Sequence, residues 1–292
     1  MLYSPTTQIL TANGWLPLEF VKDITEPIGL KSSTNRITKF ECPLSVGTIT
    51  VKQFVILQNE YIDTIVNDGT IEDGAGFLLA TDRVQTEVND WSLHEIYLLG
   101  MILTDAYYNQ SGGIEIYQSA KKSHVVQRID EAIARSGFKG SLSQRERGGK
   151  HYTWRIGKAS ADEFKRRFHL MQRGTPDIDL LFMPNDKRGH LLNAMMDGDG
   201  TWNDRHTYGC FYKPQIIDFF QLLAMTLGYK SKVNDHRKQI YISMVGYSNH
   251  LNITMPEMMF MNKKVTMLSV EGKEHFYPIL KDRGKVFFGG MV

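Results

Sequence analysis

The sequence predicts an α+β fold in which one helix–strands–helix–strands unit occurs twice between two β-rich flanks. Residues 1–90 consist of short β-prone runs separated by turns that contain Gly, Asn or Asp. At Trp91 the pattern changes, and residues 91–262 show two copies of the same element order. We therefore expect an N-terminal β part at 1–90, a central domain at 91–264 with repeats at about 91–173 and 187–264, and a C-terminal β part at 265–292.

The composition is that of a folded protein. With 42% hydrophobic and 11% aromatic residues, the 292-residue chain can bury a sizeable core, which excludes global disorder. The longest apolar run, 96–103, is far shorter than the roughly 20 residues that a membrane-spanning helix needs. The first residues lack the basic and apolar regions of a secretion signal, and two cysteines cannot form a disulfide framework. We expect a soluble, cytoplasmic protein with no membrane partner.

Charge is distributed unevenly along the chain. Residues 1–118 contain 6 Lys/Arg and 15 Asp/Glu, whereas residues 119–173 contain 14 Lys/Arg and 5 Asp/Glu, a net charge of +9. The remaining residues, with 14 against 12, restore the total of +2. A segment this basic indicates a surface that binds a polyanion. The alternative is a solvated face whose charge is balanced in three dimensions by the acidic part.

The central region provides the helices and strands of the two copies. Ser92 and Glu95 have the spacing of a capping box, and residues 93–103 are apolar nearly all round, which predicts a buried helix. The first copy continues with a strand at 113–118, a helix near 123–135, a hairpin of 141–147 and 150–158, and a helix at roughly 160–172. The second contains a helix at 187–197, strands near 201–211, a helix at 214–227, and strands at 230–235 and 239–245.

Each copy opens with a related string that ends in an acidic residue. The strings are LLGMILTDA at 98–106 and LNAMMDGDG at 192–200, and both have a small residue third and an aspartate eighth. Small residues let two helices approach closely, which would bring Asp105 and Asp199 together at one end. Neighbouring carboxylates beside helix C-termini favour a divalent cation, and oxygen ligands suit Mg²⁺. The alternative is a pair of solvated residues at helix ends.

The two strings resemble the paired motifs of single-chain LAGLIDADG homing endonucleases. The resemblance covers about residues 91–264 and implies an αββαββα half repeated about a pseudo-twofold axis, with β-ribbons that form a saddle in the major groove of double-stranded DNA. It also implies that Asp105 and Asp199 share two or three divalent ions, Mg²⁺, with DNA phosphates and cut the two strands. The first motif departs from the family pattern at Leu103, Thr104 and Ala106, which can alter the turn and lower activity.

Basic residues form the other half of the predicted site. The resemblance implies a basic residue from each half that steadies the nucleophilic water or the leaving group, and the candidates are Arg173, Lys263 and Lys264. A two-stranded ribbon fits the major groove, so basic residues of the predicted hairpins are candidates for DNA contacts. This DNA-binding set comprises Arg145, Arg147, Lys150, Arg155, Lys230, Lys232, Arg237 and Lys238. For both groups the alternative is ordinary solvated surface charge.

The β-rich flanks resemble an intein-like (Hint) domain that has lost splicing. Residues 7–15 and 76–84 are similar to N-terminal intein blocks, and 265–292 is similar to the C-terminal blocks. Splicing requires a first-position nucleophile, a block histidine and a terminal Asn. The sequence begins Met1-Leu2, has no histidine near Thr81 and ends in Val292, so we expect no self-splicing. The alternative is an unrelated β domain.

Together these features predict a monomeric, metal-dependent, site-specific endonuclease that cuts both strands of a long DNA site. One alternative is a DNA-binding protein or RNA maturase that retains the same fold without cleavage. The other is an intein whose splicing residues have been mutated.

Overall fold

The computed structural model describes the greater part of the central region and many of the flanking strands. The residues described are 2–3, 7–20, 23–31, 36–40, 44–58, 63–66, 76–78, 84, 86, 89–146, 150–170, 176–201, 207–211, 213–234, 239–244, 250–252, 257–270, 276–282 and 285–288. They form α-helices and small antiparallel sheets, which confirms the predicted α+β class. No helix in this part of the chain is both long and apolar enough to cross a membrane.

The elements follow one another in three groups. The N-terminal strands are β1 (Leu2–Tyr3), β2 (Gln8–Thr11), β3 (Gly14–Pro17), β4 (Asp23–Ile24), β5 (Ile28–Lys31), β6 (Arg36–Lys39), β7 (Leu44–Gln58), β8 (Asp63–Val66) and β9 (Gly76–Leu78). The central elements are α1 (Leu93–Asp105), β10 (Ala106–Tyr108), β11 (Ile114–Ser119), α2 (Ser123–Ser136), β12 (Gly140–Glu146), β13 (Lys150–Ile156), α3 (Lys158–Arg167), α4 (Asn185–Asp199), β14 (Gly200–Thr201), β15 (Thr207–Cys210), α5 (Pro214–Met225), β16 (Tyr229–Asn234) and β17 (Gln239–Met244). The C-terminal strands are β18 (His250–Asn252), β19 (Glu257–Val270), β20 (Phe276–Asp282) and β21 (Lys285–Phe288). Short 3₁₀ helices lie at Leu18–Phe20 and Ile178–Phe182.

The chain divides into two compact units, and the first combines both flanks. It comprises Met1–Gln85, Ala224–Val233 and Ser243–Val292. Its sheets have the orders β19-β1-β8-β7-β4 and β3-β2-β20-β5-β6, so each sheet combines N-terminal strands with a strand from the C-terminal end of the sequence. The strand β19 pairs antiparallel with β7 and continues across the boundary predicted at 264/265. The domain boundaries themselves stay predictions.

The second unit comprises Thr86–Leu223 and Asn234–Ile242. Across the central segment the same element order occurs twice, as α1-β10-β11-α2-β12-β13 and as α4-β14-β15-α5-β16-β17. The strand orders also correspond, because one sheet is β10-β11-β13-β12 and the other is β14-β15-β17-β16. The repeated helix–strands–helix–strands order predicted from the sequence is therefore confirmed.

The helices α1 and α4 pack against each other at backbone distance. A Cβ atom built on Gly100 would overlap the Cβ of Ala194 and lie 3.1 Å from the backbone N of Met195. A Cβ atom on Gly198 would overlap the hydroxyl of Thr104. The two contacts are separated by four residues on each helix, from Gly100 to Thr104 on α1 and from Ala194 to Gly198 on α4. The helices therefore run side by side in the same direction. This is the close approach that the small residues predict.

The start of α1 has the predicted capping box. The backbone N–H of Ser92 donates to Oε2 of Glu95 at 2.7 Å, and the N–H of Glu95 donates to Oγ of Ser92 at 3.2 Å. The two bonds satisfy N–H groups that have no partner inside the helix. Arg167, the last residue of α3, donates through Nε to Oε1 of Glu95 at 2.5 Å, so the cap also holds the end of another helix.

The helix α3 is shorter than predicted. The sequence predicts a helix at roughly 160–172, whereas α3 spans Lys158–Arg167. The reason is local, because His169 adopts a positive φ of 49°, which is the left-handed region and ends a right-handed helix. Phe168 is fully buried beside Phe164, with ring centroids 4.6 Å apart, and fixes the chain at this point.

Candidate active site

The site consists of the two aspartates that end α1 and α4. Asp105 is the last residue of α1 and Asp199 is the last residue of α4. In both cases the next residue, Ala106 or Gly200, has an extended backbone and begins a strand. Because the two helices run in the same direction, their C-termini and both carboxyl groups lie at the same end of the pair.

The surroundings of the two carboxyl groups raise their pKa values. Burial, with a further contribution from the negative charge of Asp199, raises the pKa of Asp105 to about 7. Burial also raises the pKa of Asp199 above its ordinary value. An atom built at the Cβ position of Gly198 would lie 3.1 Å from Oδ2 of Asp105, so the carboxyl group of Asp105 reaches across the helix interface. Two carboxyl groups held in this way favour a cation between them.

Two further side chains contact this site, and the sequence analysis missed both. Gln118 in β11 donates through Nε2 to Oδ2 of Asp105 at 2.8 Å. Lys122, which precedes α2, donates through Nζ to the carbonyl oxygens of Asp197 at 2.9 Å and Gly198 at 2.5 Å. The positive charge of Lys122 lowers the pKa of both Asp105 and Asp199, which opposes the effect of burial. Lys122 therefore adds positive potential to the site.

The sequence contained a signal for Gln118. The burial of β11 alternates, and Ile114 and Ile116 lie fully buried on the same face as Gln118. A buried amide in line with two isoleucines must find a hydrogen-bond partner, and here that partner is Asp105. Lys122 has no comparable signal, because its role depends on where α2 begins relative to the end of α4.

The two halves of the site are not equivalent. In the first half Ala106 pairs with Ile116, and in the second Gly200 pairs with Gly209, so Phe211 takes the position that corresponds to Gln118. Phe211 is buried and its ring lies 4.7 Å from that of Phe220. An apolar ring cannot donate the hydrogen bond that Gln118 donates. In the second half the charge of Lys213, which immediately precedes α5, lowers the pKa of Asp199.

The other aspartate of the second motif has a different role. Oδ2 of Asp197 accepts hydrogen bonds from the hydroxyl of Tyr97 at 2.9 Å and from Nη1 of Arg128 at 2.7 Å. These three residues belong to α4, α1 and α2, so Asp197 links three helices. Burial together with the negative charge of Asp197 raises the pKa of Tyr97. The carboxylate of Asp197 is thus engaged by partners within the protein.

The donors at the helix ends fit a hard divalent cation. Both Asp105 and Asp199 offer carboxylate oxygens, and Mg²⁺ is commonly held by one or two carboxylates together with water and substrate phosphate. Within the described ranges no cluster of three or more His, Cys, Asp or Glu side chains is arranged to hold a metal ion. A cation at this site would take its remaining ligands from water and from a phosphate.

The predicted basic catalytic residues stay predictions. Arg173 lies outside the described residues. Lys263 and Lys264 lie in β19, where they pair with Val51 and Thr50 of β7, in the first compact unit rather than in the unit of Asp105.

The predicted DNA-binding set is described in part. Arg155 lies in β13 with an exposed side chain. For four others the structure describes only the strand that carries them: β12 for Arg145, β13 for Lys150, and β16 for Lys230 and Lys232. Arg147, Arg237 and Lys238 lie outside the described residues.

Comparisons with known proteins give fold similarities only. No protein-family model matches the chain, and no curated protein matches its sequence. Among solved structures it is similar to mesophilic variants of the homing endonuclease I-DmoI, with 13% identity, 52% of this chain and 88% of that chain covered, and a TM-score of 0.40. The structure of I-DmoI in complex with DNA and Ca gives 13% identity, 52% and 83% coverage, and a TM-score of 0.40. The N-terminal LAGLIDADG domain of DUF199/WhiA gives 11% identity, 55% and 80% coverage, and a TM-score of 0.39.

Proposed function

We propose that the chain is a monomeric, Mg²⁺-dependent homing endonuclease that hydrolyses one phosphodiester in each strand of a long DNA site. The observation that carries this proposal is the pair of buried carboxyl groups, Asp105 and Asp199, at the shared end of two helices in backbone contact. A buried acidic pair is costly to ionise unless a cation neutralises it. A site of this kind therefore suits a substrate that brings phosphate and a metal together.

The residues of the site divide the chemistry among them. When bound, Mg²⁺ would supply neutralisation of the phosphate charge and an acidified water. Asp105 and Asp199 hold the cation, and Gln118 orients the carboxylate of Asp105 through its 2.8 Å hydrogen bond. Lys122 holds the last turn of α4 and contributes positive charge beside the phosphate. Arg173, Lys263 and Lys264 remain the candidates that steady the water or the leaving group.

Double-stranded DNA is the partner that the charge and the sheets favour. Residues 119–173, which include β12 and β13, have a net charge of +9. A β-ribbon fits the major groove, and Lys and Arg side chains bind the phosphates in a salt-dependent manner. The proposal also includes that the protein is monomeric and located in the cytoplasm.

The β-rich first unit is proposed as an intein-derived scaffold without splicing activity. The support is that both sequence flanks contribute strands to the same sheets, as in a domain interrupted by an insertion. The alternative remains an unrelated β domain that happens to enclose the central segment.

A DNA-binding protein or RNA maturase without cleavage is the second candidate. Phe211 at the position that corresponds to Gln118 favours this candidate. The second half then has no amide that orients Asp199 as Gln118 orients Asp105. Such a protein would recognise nucleic acid with the same sheets and leave the phosphodiester bonds intact.

Cleavage of a randomised-site plasmid library separates the candidates. The library is incubated with the full chain in Mg²⁺ or in Ca²⁺, and the DNA ends and the bound DNA are sequenced. The endonuclease proposal predicts discrete ends in Mg²⁺ and enrichment of the same site without ends in Ca²⁺. Enrichment of one sequence without ends in either metal would overturn cleavage and favour the second candidate.

A further inference from the structure

A cavity of about 590 Å³ lies between α1, α2 and α4. Its volume is within the range of about 300–1,000 Å³ that is typical of sites for small molecules. The described lining includes neither Asp105 nor Asp199, so the cavity is distinct from the candidate active site. We call it the three-helix cavity, and the side chains that determine its chemistry are His94, Tyr97, His124, Arg128, His190 and Asp197.

Hydrogen-bond donors line the three-helix cavity from its buried part to solvent. Tyr97 is buried, and its ring lies 5.9 Å from the half-buried ring of His190. His94 is also half-buried, whereas His124 and Arg128 are exposed. An imidazole donates at least one hydrogen bond whether it is neutral or protonated, and a guanidinium has five N–H donors. Donors from all three helices therefore converge on one space.

The acidic side chains of the lining are already paired within the protein. Asp197 accepts a hydrogen bond from Nη1 of Arg128 at 2.7 Å, as described above. Glu131 pairs with Nη2 of Arg135, one turn further along α2, at 3.1 Å. Since 55% of the Arg128 side chain stays exposed, its other N–H groups can reach a second acceptor. The lining thus offers positive charge and donors to a ligand.

The ionisation of His190 reflects positive potential inside the cavity. Burial is the largest cause that lowers the pKa of His190, and the charges of Arg128 and His94 lower it further. The negative charge of Asp197 raises the pKa, but this effect is smaller than that of Arg128. The pairing with Asp197 therefore leaves part of the arginine charge available to a ligand.

We propose that the three-helix cavity binds a small molecule through a terminal phosphate group. Arg128 provides the charged contact, and His94, His124 and His190 provide further hydrogen bonds. An arginine fork suits phosphate oxygens, and hydrogen bonds between charged groups are stronger than those between neutral groups. Donors approach from three helices, and a terminal phosphate has three acceptor oxygens, whereas a carboxylate has two. Nucleoside monophosphates belong to this ligand class.

The test is isothermal titration calorimetry of the full chain with adenosine 5′-monophosphate, inorganic phosphate and adenosine. The buffer contains EDTA, so that no divalent metal holds phosphate at Asp105 and Asp199. Arg128→Gln removes the charged contact, and Arg166→Gln is the matched control because Arg166 is an exposed arginine of α3, outside the cavity. Circular dichroism and thermal melting check that each variant is folded.

A second variant tests the site without disturbing the ion pair of Arg128 and Asp197. The double variant His94→Gln, His124→Gln removes two imidazoles and keeps that pair, so it remains informative if Arg128→Gln fails to fold. A short single-stranded oligonucleotide without a terminal phosphate competes with adenosine 5′-monophosphate in a further titration. This arm distinguishes a small phosphorylated molecule from the phosphodiester backbone of a nucleic acid.

Adenosine 5′-monophosphate and inorganic phosphate should bind the wild type at one site, and adenosine should not. Arg128→Gln should weaken binding of the monophosphate by about 10-fold to 100-fold, because a hydrogen bond to a charged group is lost. The double-histidine variant should weaken it several-fold, and Arg166→Gln should bind as the wild type does. Absence of binding to the wild type, equal binding of adenosine, or wild-type affinity in the folded double-histidine variant would overturn the proposal. Tighter binding of the oligonucleotide at the same residues would overturn a small molecule as the ligand.

Discussion

At the scale of single residues, the decisive feature is that Asp105 and Asp199 have raised pKa values beside each other. Desolvation is the largest cause for both, and for Asp105 the neighbouring carboxylate adds to it. Lys122 and Gln118 act in the opposite direction on Asp105 and hold its pKa lower than burial alone would. Burial and nearby positive charge therefore act against each other at this site. A change in the nearby charge would shift the pKa values of Asp105 and Asp199 and alter how far the two carboxyl groups are ionised.

The raised pKa of Asp105 predicts that stability falls with pH in the absence of divalent metal. The carboxyl pKa is about 7 in the folded protein and 3.8 in the reference state, so the folded state binds more protons between these values. The free energy of unfolding should thus decrease between about pH 4 and pH 7, by at most about 4 kcal/mol for this group. Thermal melts in EDTA across this range measure the effect.

Divalent metal and one substitution provide the controls for this prediction. Mg²⁺ should raise the melting temperature more at pH 8 than at pH 5, since the ionised pair binds the cation. Asp105→Asn should flatten the pH dependence and reduce the Mg²⁺ effect. Equal melting temperatures for the wild type at pH 5 and pH 7 in EDTA would contradict the assignment.

Sequence reasoning found these aspartates but not their partners. Asp105 and Asp199 follow from the matched spacing of two strings, which is a local signal. The contact of Gln118 with Asp105 joins residues that are 13 positions apart, and Lys122 reaches carbonyl groups 75 and 76 positions away. Such contacts depend on how a strand and two helices are arranged in space, so spacing alone does not give them.

At the scale of elements, the packing of α1 on α4 depends on small residues at the contact. A side chain at Gly100 would meet Ala194 and the backbone beside Met195, where rigid atoms cannot move away cheaply. A side chain at Gly198 would likewise overlap the side chain of Thr104. The closeness of the helix ends, and with it the closeness of the two carboxyl groups, follows from these contacts.

Gly100→Ala should therefore destabilise the protein. The added methyl group is expected to cost about 1–3 kcal/mol, because it forces two backbones apart. Gly189→Ala in α4 is the matched control, since a Cβ atom there would meet nothing within 4 Å. That control should be neutral or more stable by up to about 1 kcal/mol, because Ala favours helices over Gly. Urea unfolding measures both, and equal loss in the two variants would contradict the close packing.

Elements with strong local signals were predictable, and one helix end was not. The capping box of Ser92 and Glu95, and the hairpin now seen as β12 and β13, follow from local patterns that the structure confirms. The end of α3 differs, because the left-handed backbone at His169 is set by tertiary packing around the buried Phe168. The sequence of residues 160–172 contains no local signal that α3 ends at Arg167.

At the scale of the whole chain, the pairing between the flanks is the feature that local patterns do not contain. The sequence shows β-prone runs at both ends, but the pairing of Leu44 in β7 with Val270 in β19 joins residues more than 200 positions apart. The repeated element order of the central segment is different, because each copy has its own helix and strand signals. Duplication was therefore predictable from local patterns, whereas the strand pairing within the sheets of the first unit was not.

The most direct test of the central claim is cleavage by the two single-aspartate variants. On a DNA site selected by the wild type, Asp105→Asn and Asp199→Asn should each lower double-strand cleavage in Mg²⁺ by at least about 100-fold, since a metal ligand supports several kcal/mol of transition-state stabilisation. Binding of the same DNA in Ca²⁺ should stay within a few-fold of wild type, and Asp162→Asn, a change at an exposed aspartate of α3, should cleave normally. Wild-type cleavage by both Asp105→Asn and Asp199→Asn would contradict the paired aspartates as the active site.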